Sequence, residues 1–487
     1  MASILSNLLL GLVGTGFVIA LAKSTYIAFF SPLHRIPGPW YMAMSDFFLA
    51  THLMRFHQTP TIHKLIQKYG PVVRVGPNKV VFSNLEAMQS VYVQNKFPKN
   101  SGSYSHFRID GVDHLFSMSD NESHAVRRRA IGSHYTSVVL HFQPQLYQLT
   151  LQLVNHLNLI GGRLPVDCLL LLRNYMVDVV VLSTFGFDLG AVQRWSINEP
   201  EPIADAIIDF TTCIILESFF PAFIWNALRF FPNARWRSFT GAASILKEFV
   251  RCRVNDLQQL GGVETHETIT LVQCLLRHTK SLNPDTQLGA VVIPETVVHF
   301  IAGSETSAMT LTYMLWQLTR SPEVADKLQK ELDEAIPDPH NIPDMAVLRT
   351  LPYLNAFIQE GLRLHGAVPP LLERVVPPGP NFQLMGYTIP PGTVIGTQSW
   401  SVHRDPEAFP LPEKFDPERW MAKIDSPCTS ASHFMPFGLG TRVCVGQPLA
   451  QAAIRAVIVA LARNFTITAD ENTTEASMTM VHGFVCF

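Results

Sequence analysis

Close to its C-terminus the chain reads Phe437-Gly438-Leu439-Gly440-Thr441-Arg442-Val443-Cys444-Val445-Gly446-Gln447, and from Pro448 it turns apolar with helical spacing. No other stretch constrains the fold as much. Glycines at this density predict a loop whose backbone takes positive φ at Gly438, Gly440 and Gly446 and comes close to a flat ligand. Proline early in the following run marks a helix start, so the loop carries one thiol to the positive end of a helix dipole. A thiolate is stable in such surroundings, and Arg442 adds a forked cation suited to a carboxylate. These residues fit a metal-ligating cysteine. The plain alternative is a free cysteine in a surface turn.

Phenylalanine, glycine three residues on, arginine after two more, cysteine after two and glycine after two more is a pattern with a known likeness. The segment resembles the haem-binding loop of the cytochrome P-450 family, the haem-thiolate monooxygenases. The resemblance implies that Cys444 is the axial ligand of haem iron and that Arg442 pairs with a haem propionate. By the same likeness Phe437 and Gly438 belong to the residues that bind the cofactor.

The remainder of the sequence is compatible with such a body. With 487 residues, 47% of them hydrophobic, the chain can bury a large core. Lys+Arg 37 against Asp+Glu 39 gives no reason to expect nucleic acid as a partner. The cysteines Cys168, Cys213, Cys252, Cys274, Cys428, Cys444 and Cys486 are scattered and form no C-x-x-C pair, which points to a reducing compartment. Apolar spacing from His124 to about Leu276 is mainly helical. Val72–Phe82 reads as a β-hairpin around Gly76-Pro77-Asn78, and Pro377–Val402 as a small sheet. The expected fold is mainly α with a minor β region, that is, the cytochrome P-450 fold as one large haem-binding domain over 41–487.

A helix is predicted from Pro294 to the residue before Ser321-Pro322. Positions 299, 302, 303, 306 and 310 share one face, and apart from His299 that face is small: Ala302, Gly303, Thr306 and Thr310. Thr306 Oγ can reach the carbonyl of Ala302 and loosen the helix there. A tight helix–helix contact through Ala302 and Gly303 would look the same. The segment resembles the family's distal-helix motif. By that likeness Thr306 hydrogen-bonds dioxygen, Glu305 relays protons, and Ala302 and Gly303 leave room for the haem.

Three further groups follow the family pattern. Glu360 and Arg363 sit at i and i+3 among apolar neighbours, and Arg419 lies in Pro417-Glu418-Arg419-Trp420. The resemblance makes these three a buried structural network behind the haem, with Trp420 in place of the commoner phenylalanine and no chemical consequence expected. His124 and Arg128 share a helix face and would contact propionates, with His124 where tryptophan is usual. Arg127 and Arg129 read as a solvated basic face. Arg374 is a third propionate partner by the same likeness.

Ile4–Ala22 is almost wholly apolar and long enough to cross a hydrocarbon core of ~30 Å. Lys23, His34 and Arg35 all follow it, which keeps the body cytosolic by the positive-inside rule. Residues 1–30 are therefore expected to be a membrane anchor and 31–40 a proline-rich hinge, as in endoplasmic-reticulum members of the family; the style resembles fungal microsomal ones.

No nicotinamide, flavin or P-loop fingerprint occurs, so electrons must come from another protein. The resemblance implies haem b, NADPH used through NADPH–cytochrome P-450 reductase, cytochrome b5 as a second donor, and hydroxylation of an apolar small molecule in fungal secondary metabolism. Phe107, Phe210, Ile214, Val368, Leu371 and Met480 fall in family regions that line the substrate pocket. Two other readings stay open: a haem protein that does not oxygenate, and an isomerase or dehydratase. Thr306 beside an acid argues against both.

Overall fold

Short β-branched runs broken by Gly, Pro and Asn form the strands. β1 (Val72–Gly76) and β2 (Lys79–Phe82) pair antiparallel across Pro77-Asn78, where the sequence predicts the turn. The computed structural model describes residues 2–196, 199, 201–217, 220, 222–259, 270–282, 288–421 and 430–481. These group into two compact units, Met1–Asn100 with Pro370–Val402, and Ser101–Pro369 with His403–Phe487. Cys428 and Cys486 lie outside the described residues. The five described cysteines are free.

In the smaller unit the expected sheet is present as β3 (Arg374–Val375), β4 (Phe382–Leu384), β5 (Tyr387–Ile389) and β6 (Val394–Gly396). β6 pairs parallel with β2 and antiparallel with β3, while β4 and β5 form a separate hairpin. Helix α1 (Ala2–Phe30) ends just before Ser31-Pro32, as the proline predicts. Its last turn has carbonyls without helical partners. Buried Arg74 of β1 supplies donors to two of them, Ile27 O at 3.0 Å and Ala28 O at 3.1 Å. The proline-rich segment is also fastened to β1. Pro37 O accepts from the Arg74 N–H at 2.8 Å, and a Cβ on Gly38 would stand only 2.3 Å from Arg74 O. Helix α2 (Gln58–Tyr69) contributes Ile62 to an apolar cluster with Leu49, Val73, Val75 and Val81.

The larger unit is helical, as the spacing after His124 predicts. Its main helices are α3 (Asn121–Ile160), α4 (Cys168–Phe185), α5 (Ala234–Gln259), α6 (Leu271–Leu282), α7 (Leu288–Arg320), α8 (Pro352–Leu364) and α9 (Gln447–Asn464). Asp120 caps α3 by accepting from the Ser123 N–H at 2.7 Å. α7 is central and packs against α4, α5, α6 and α9. α4 is apolar enough to span a membrane, but 78% of its apolar window is buried inside the protein, so it is a core helix. α7 begins at Leu288, not at Pro294. Val292, fully buried, packs the turn ahead of the proline and holds it helical despite the missing N–H.

Candidate functional site

Gly438 and Gly440 hold φ of 77° and 67°, conformations that favour glycine. They fold the loop back so that the Cys444 N–H donates to Phe437 O at 2.9 Å. Gly446 departs from expectation: its φ is −79° and it stands at the start of α9. Its use is space. A Cβ there would lie 3.9 Å from both Cys444 Sγ and Tyr135 Cε1. Cys444 has protein atoms densely around it, yet its own surface is left uncovered. Burial pushes its thiol up. The N–H groups of Gly446 and Gln447 and the Arg128 guanidinium pull the other way without winning. A coordinated metal ion removes such a proton outright.

Arg128 Nη1 donates to Val443 O at 2.6 Å, next to the cysteine, and His124 lies buried one turn earlier on α3. Arg442 spreads its fork over Met118 O (2.7 Å), Ser119 O (3.0 Å), Asp120 O (2.8 Å) and Asn121 Oδ1 (3.0 Å). It ties the cysteine loop to the start of α3. Arg127 is not the solvated cation expected. It is largely buried and donates to the fully buried Glu295 of α7 at 2.9 Å. Only Arg129 is exposed.

Mid-way along α7 most residues are buried, including Phe300, Ser304, Ser307 and Ala308. Ala302 is exposed, and Gly303 and Thr306 are partly so, which leaves one uncovered strip on a core helix. Thr306 Oγ1 donates to Ala302 O at 2.7 Å, as expected. Gly303 also answers to packing, since a Cβ would meet Val180 Cγ2 of α4 at 2.7 Å. Glu305 points elsewhere. Arg173 of α4 holds it by a two-pronged ion pair, with Nε at 2.8 Å from Oε2 and 3.0 Å from Oε1, and Nη2 closing the fork. At one end of the strip His299 Nδ1 lies 2.7 Å from the Tyr135 hydroxyl. Tyr135 thus reaches from the neighbourhood of the sulfur to the strip.

Behind the loop, Glu360 is fully buried and every lone pair has work. Oε1 accepts from Arg363 Nη2 (2.9 Å), Arg419 Nε (3.0 Å) and the Asp416 N–H (2.9 Å). Oε2 accepts from Arg363 Nε (2.8 Å) and from Trp420 Nε1 (2.9 Å). Trp420 is therefore not chemically idle, because its N–H serves the buried carboxylate. His403 carries the network forward: Nδ1 is 3.1 Å from Arg363 O, and Nε2 accepts the Met435 N–H at 2.9 Å, two residues before Phe437.

The family profile described as cytochrome P-450 matches residues 35–486. The chain belongs to the cytochrome P-450 family. Similar proteins include the monooxygenase stcB of Emericella nidulans, 26% identical over 95% of this chain and 88% of that protein. Others are tryprostatin B 6-hydroxylase of Neosartorya fischeri (26%, 91% and 78%) and the monooxygenase BOT1 of Botryotinia fuckeliana (29%, 86% and 82%). The chain is thus an oxidoreductase of a haem monooxygenase family, and membership implies a redox partner and a small-molecule substrate. Its residues fit haem: one thiol at a helix start is uncovered, and the strip Ala302–Gly303–Thr306 is uncovered within a packed helix.

The remaining expected site residues are divided between the two units. Arg374 and Leu371 belong to the smaller unit, where Arg374 lies over the Tyr92 ring at 4.8 Å. Phe107, Phe210, Ile214, Val368 and Met480 belong to the larger one. Glu295, Arg173, Tyr135 and His403 carried no readable signal, for single polar residues in helical text look alike until their partners are known. The small face of α7 did draw attention to His299.

Proposed function

We propose that this protein is a membrane-anchored haem-thiolate monooxygenase that hydroxylates an apolar small molecule in fungal secondary metabolism. The observation that carries this is the uncovered Cys444 thiol, with two helix N–H groups and Arg128 directed to it. Cys444 would be the axial ligand of haem b; His124, Arg128, Arg442 and Arg374 would hold its propionates. When bound, the haem supplies dioxygen activation and C–H oxidation, with the thiolate favouring O–O cleavage. The chain's own residues do the rest. Thr306 positions a proton through its hydroxyl, at present bonded to Ala302 O. Glu305 can move protons to that strip only after its pair with Arg173 opens. Phe107, Phe210, Ile214, Val368, Leu371 and Met480 would exclude water around an apolar substrate.

Electrons would come from NADPH through NADPH–cytochrome P-450 reductase, with cytochrome b5 as a second donor. The naming of stcB and tryprostatin B 6-hydroxylase supports a secondary-metabolic role. α1 would anchor the chain in the endoplasmic reticulum with the catalytic body cytosolic. Supporting this, Leu12, Phe17, Val18 and Ile19 are 62–70% exposed, an outward apolar surface that water disfavours. The test is Cys444→Ser. The reduced, carbon-monoxide-treated variant should lose the thiolate-type spectrum, and an unchanged spectrum refutes the ligand assignment.

A further inference from the structure

Between the cysteine loop and the uncovered strip lies a buried Tyr–His–Glu chain that the reaction does not use. Tyr135 and His299 are each 8% exposed and Glu295 is fully buried. The Tyr135 hydroxyl is 2.7 Å from His299 Nδ1, and the two rings stack with centroids 5.5 Å apart at 27°. His299 Nε2 faces Glu295 Oε1, one turn back on α7, at 3.4 Å, an electrostatic contact longer than a good hydrogen bond. No nearer partner meets Nε2 among the described residues.

Charge fixes the tautomer. Burial works to raise the Glu295 carboxyl, but the His299 contact and the Arg127 guanidinium outweigh it and hold the carboxyl below its usual range. An anionic Glu295 draws the imidazole N–H to Nε2, as carboxylates do for metal-site and triad histidines. Nδ1 is then an acceptor, and the phenol donates to it. Burial, with Glu295 nearby, pushes the Tyr135 phenol far up, so it does not ionise alone. It can lose an electron only if its proton leaves at the same moment, and the base for that proton is already hydrogen-bonded.

We propose that Tyr135 is a one-electron outlet for the haem carried on Cys444, with His299 as proton acceptor and Glu295 as counter-charge. This rests on the haem reading above. The oxidant is the haem itself, left oxidised when dioxygen is activated and no substrate is consumed. The Tyr135 O–H bond breaks, the electron goes to the haem and the proton to His299 Nδ1. A neutral tyrosyl then faces an imidazolium paired with Glu295. One electron from the redox partner and the same proton restore the phenol. The outlet would spare the cysteine loop from oxidation during idle turnover.

The experiment is rapid-freeze electron paramagnetic resonance on the haem-loaded full chain mixed with 3-chloroperbenzoic acid in the absence of substrate. A tyrosyl signal is expected, arising more slowly in D2O. Tyr135→Phe should abolish it while keeping the carbon monoxide spectrum. His299→Gln retains a hydrogen-bond acceptor but takes no proton, and it should also lose the signal; it decides the matter if Tyr135→Phe does not load haem. An undiminished tyrosyl signal in either loaded variant overturns the proposal, as does its absence from the unaltered loaded chain. A chain that takes up no haem overturns the haem reading and the outlet with it.

Discussion

Replacing Trp420 by phenylalanine isolates a single hydrogen bond to a buried charge. The indole N–H donates to Glu360 Oε2 at 2.9 Å, and without it Oε2 keeps only Arg363 Nε at 2.8 Å. A hydrogen bond to a charged group contributes ~1.5–3 kcal/mol. Ring contacts largely survive the change, since Phe434 and Phe409 lie against Trp420 at centroid distances of 4.8 and 6.0 Å. Trp420→Phe should therefore lower the unfolding free energy by ~1.5–3 kcal/mol, read by chemical denaturation followed in the far ultraviolet. Glu360→Gln should cost more, ~3–5 kcal/mol, because Arg363 and Arg419 are left in a buried site without their counter-charge. In that background Trp420→Phe should be nearly silent, giving a coupling close to its whole single-variant cost, ~1.5–3 kcal/mol. Equal costs in both backgrounds would show that the indole N–H does not serve Glu360. So would a single-variant cost below ~0.5 kcal/mol, the ordinary size of a surface change.

Thr306→Ala should leave haem bound but divert reducing equivalents to peroxide; unchanged coupling would remove Thr306 from oxygen handling. Gly303→Ala places a methyl 2.7 Å from Val180 Cγ2 and should cost ~1–3 kcal/mol. Val180→Ala in the same chain should recover most of it, and failure to do so would refute the close-packing account. Burial, then nearby Arg404 and Arg363, hold His365 down to about 3; His403 is held at about 3 by burial against its bond to Arg363 O. The unfolded chain binds these protons below about 6.5 and the folded chain refuses them. Stability should therefore fall as pH drops from 6.5 towards 3, by ~1.4 kcal/mol per pH unit for each histidine. A denaturation midpoint that does not move between pH 7 and pH 5 would contradict this.

The order of motifs was enough to identify the family, for a glycine-spaced cysteine ahead of a helix, a small strip on a long helix and an E-x-x-R pair are local patterns. Local patterns also set the hairpin at Pro77-Asn78, the end of α1 before Ser31-Pro32, and the Thr306 bond to Ala302. What packing decided is where polar side chains point. Arg127 reads as solvated in the sequence, yet it meets Glu295, which lies 168 positions away along the chain. Glu305 follows the motif, but Arg173, 132 positions earlier, turns it from the strip. Trp420 reads as interchangeable with phenylalanine, but its N–H serves Glu360. The physical reason is common to all three. A buried charge must find its partner wherever the fold brings one, and periodicity reports only which face of a helix is apolar.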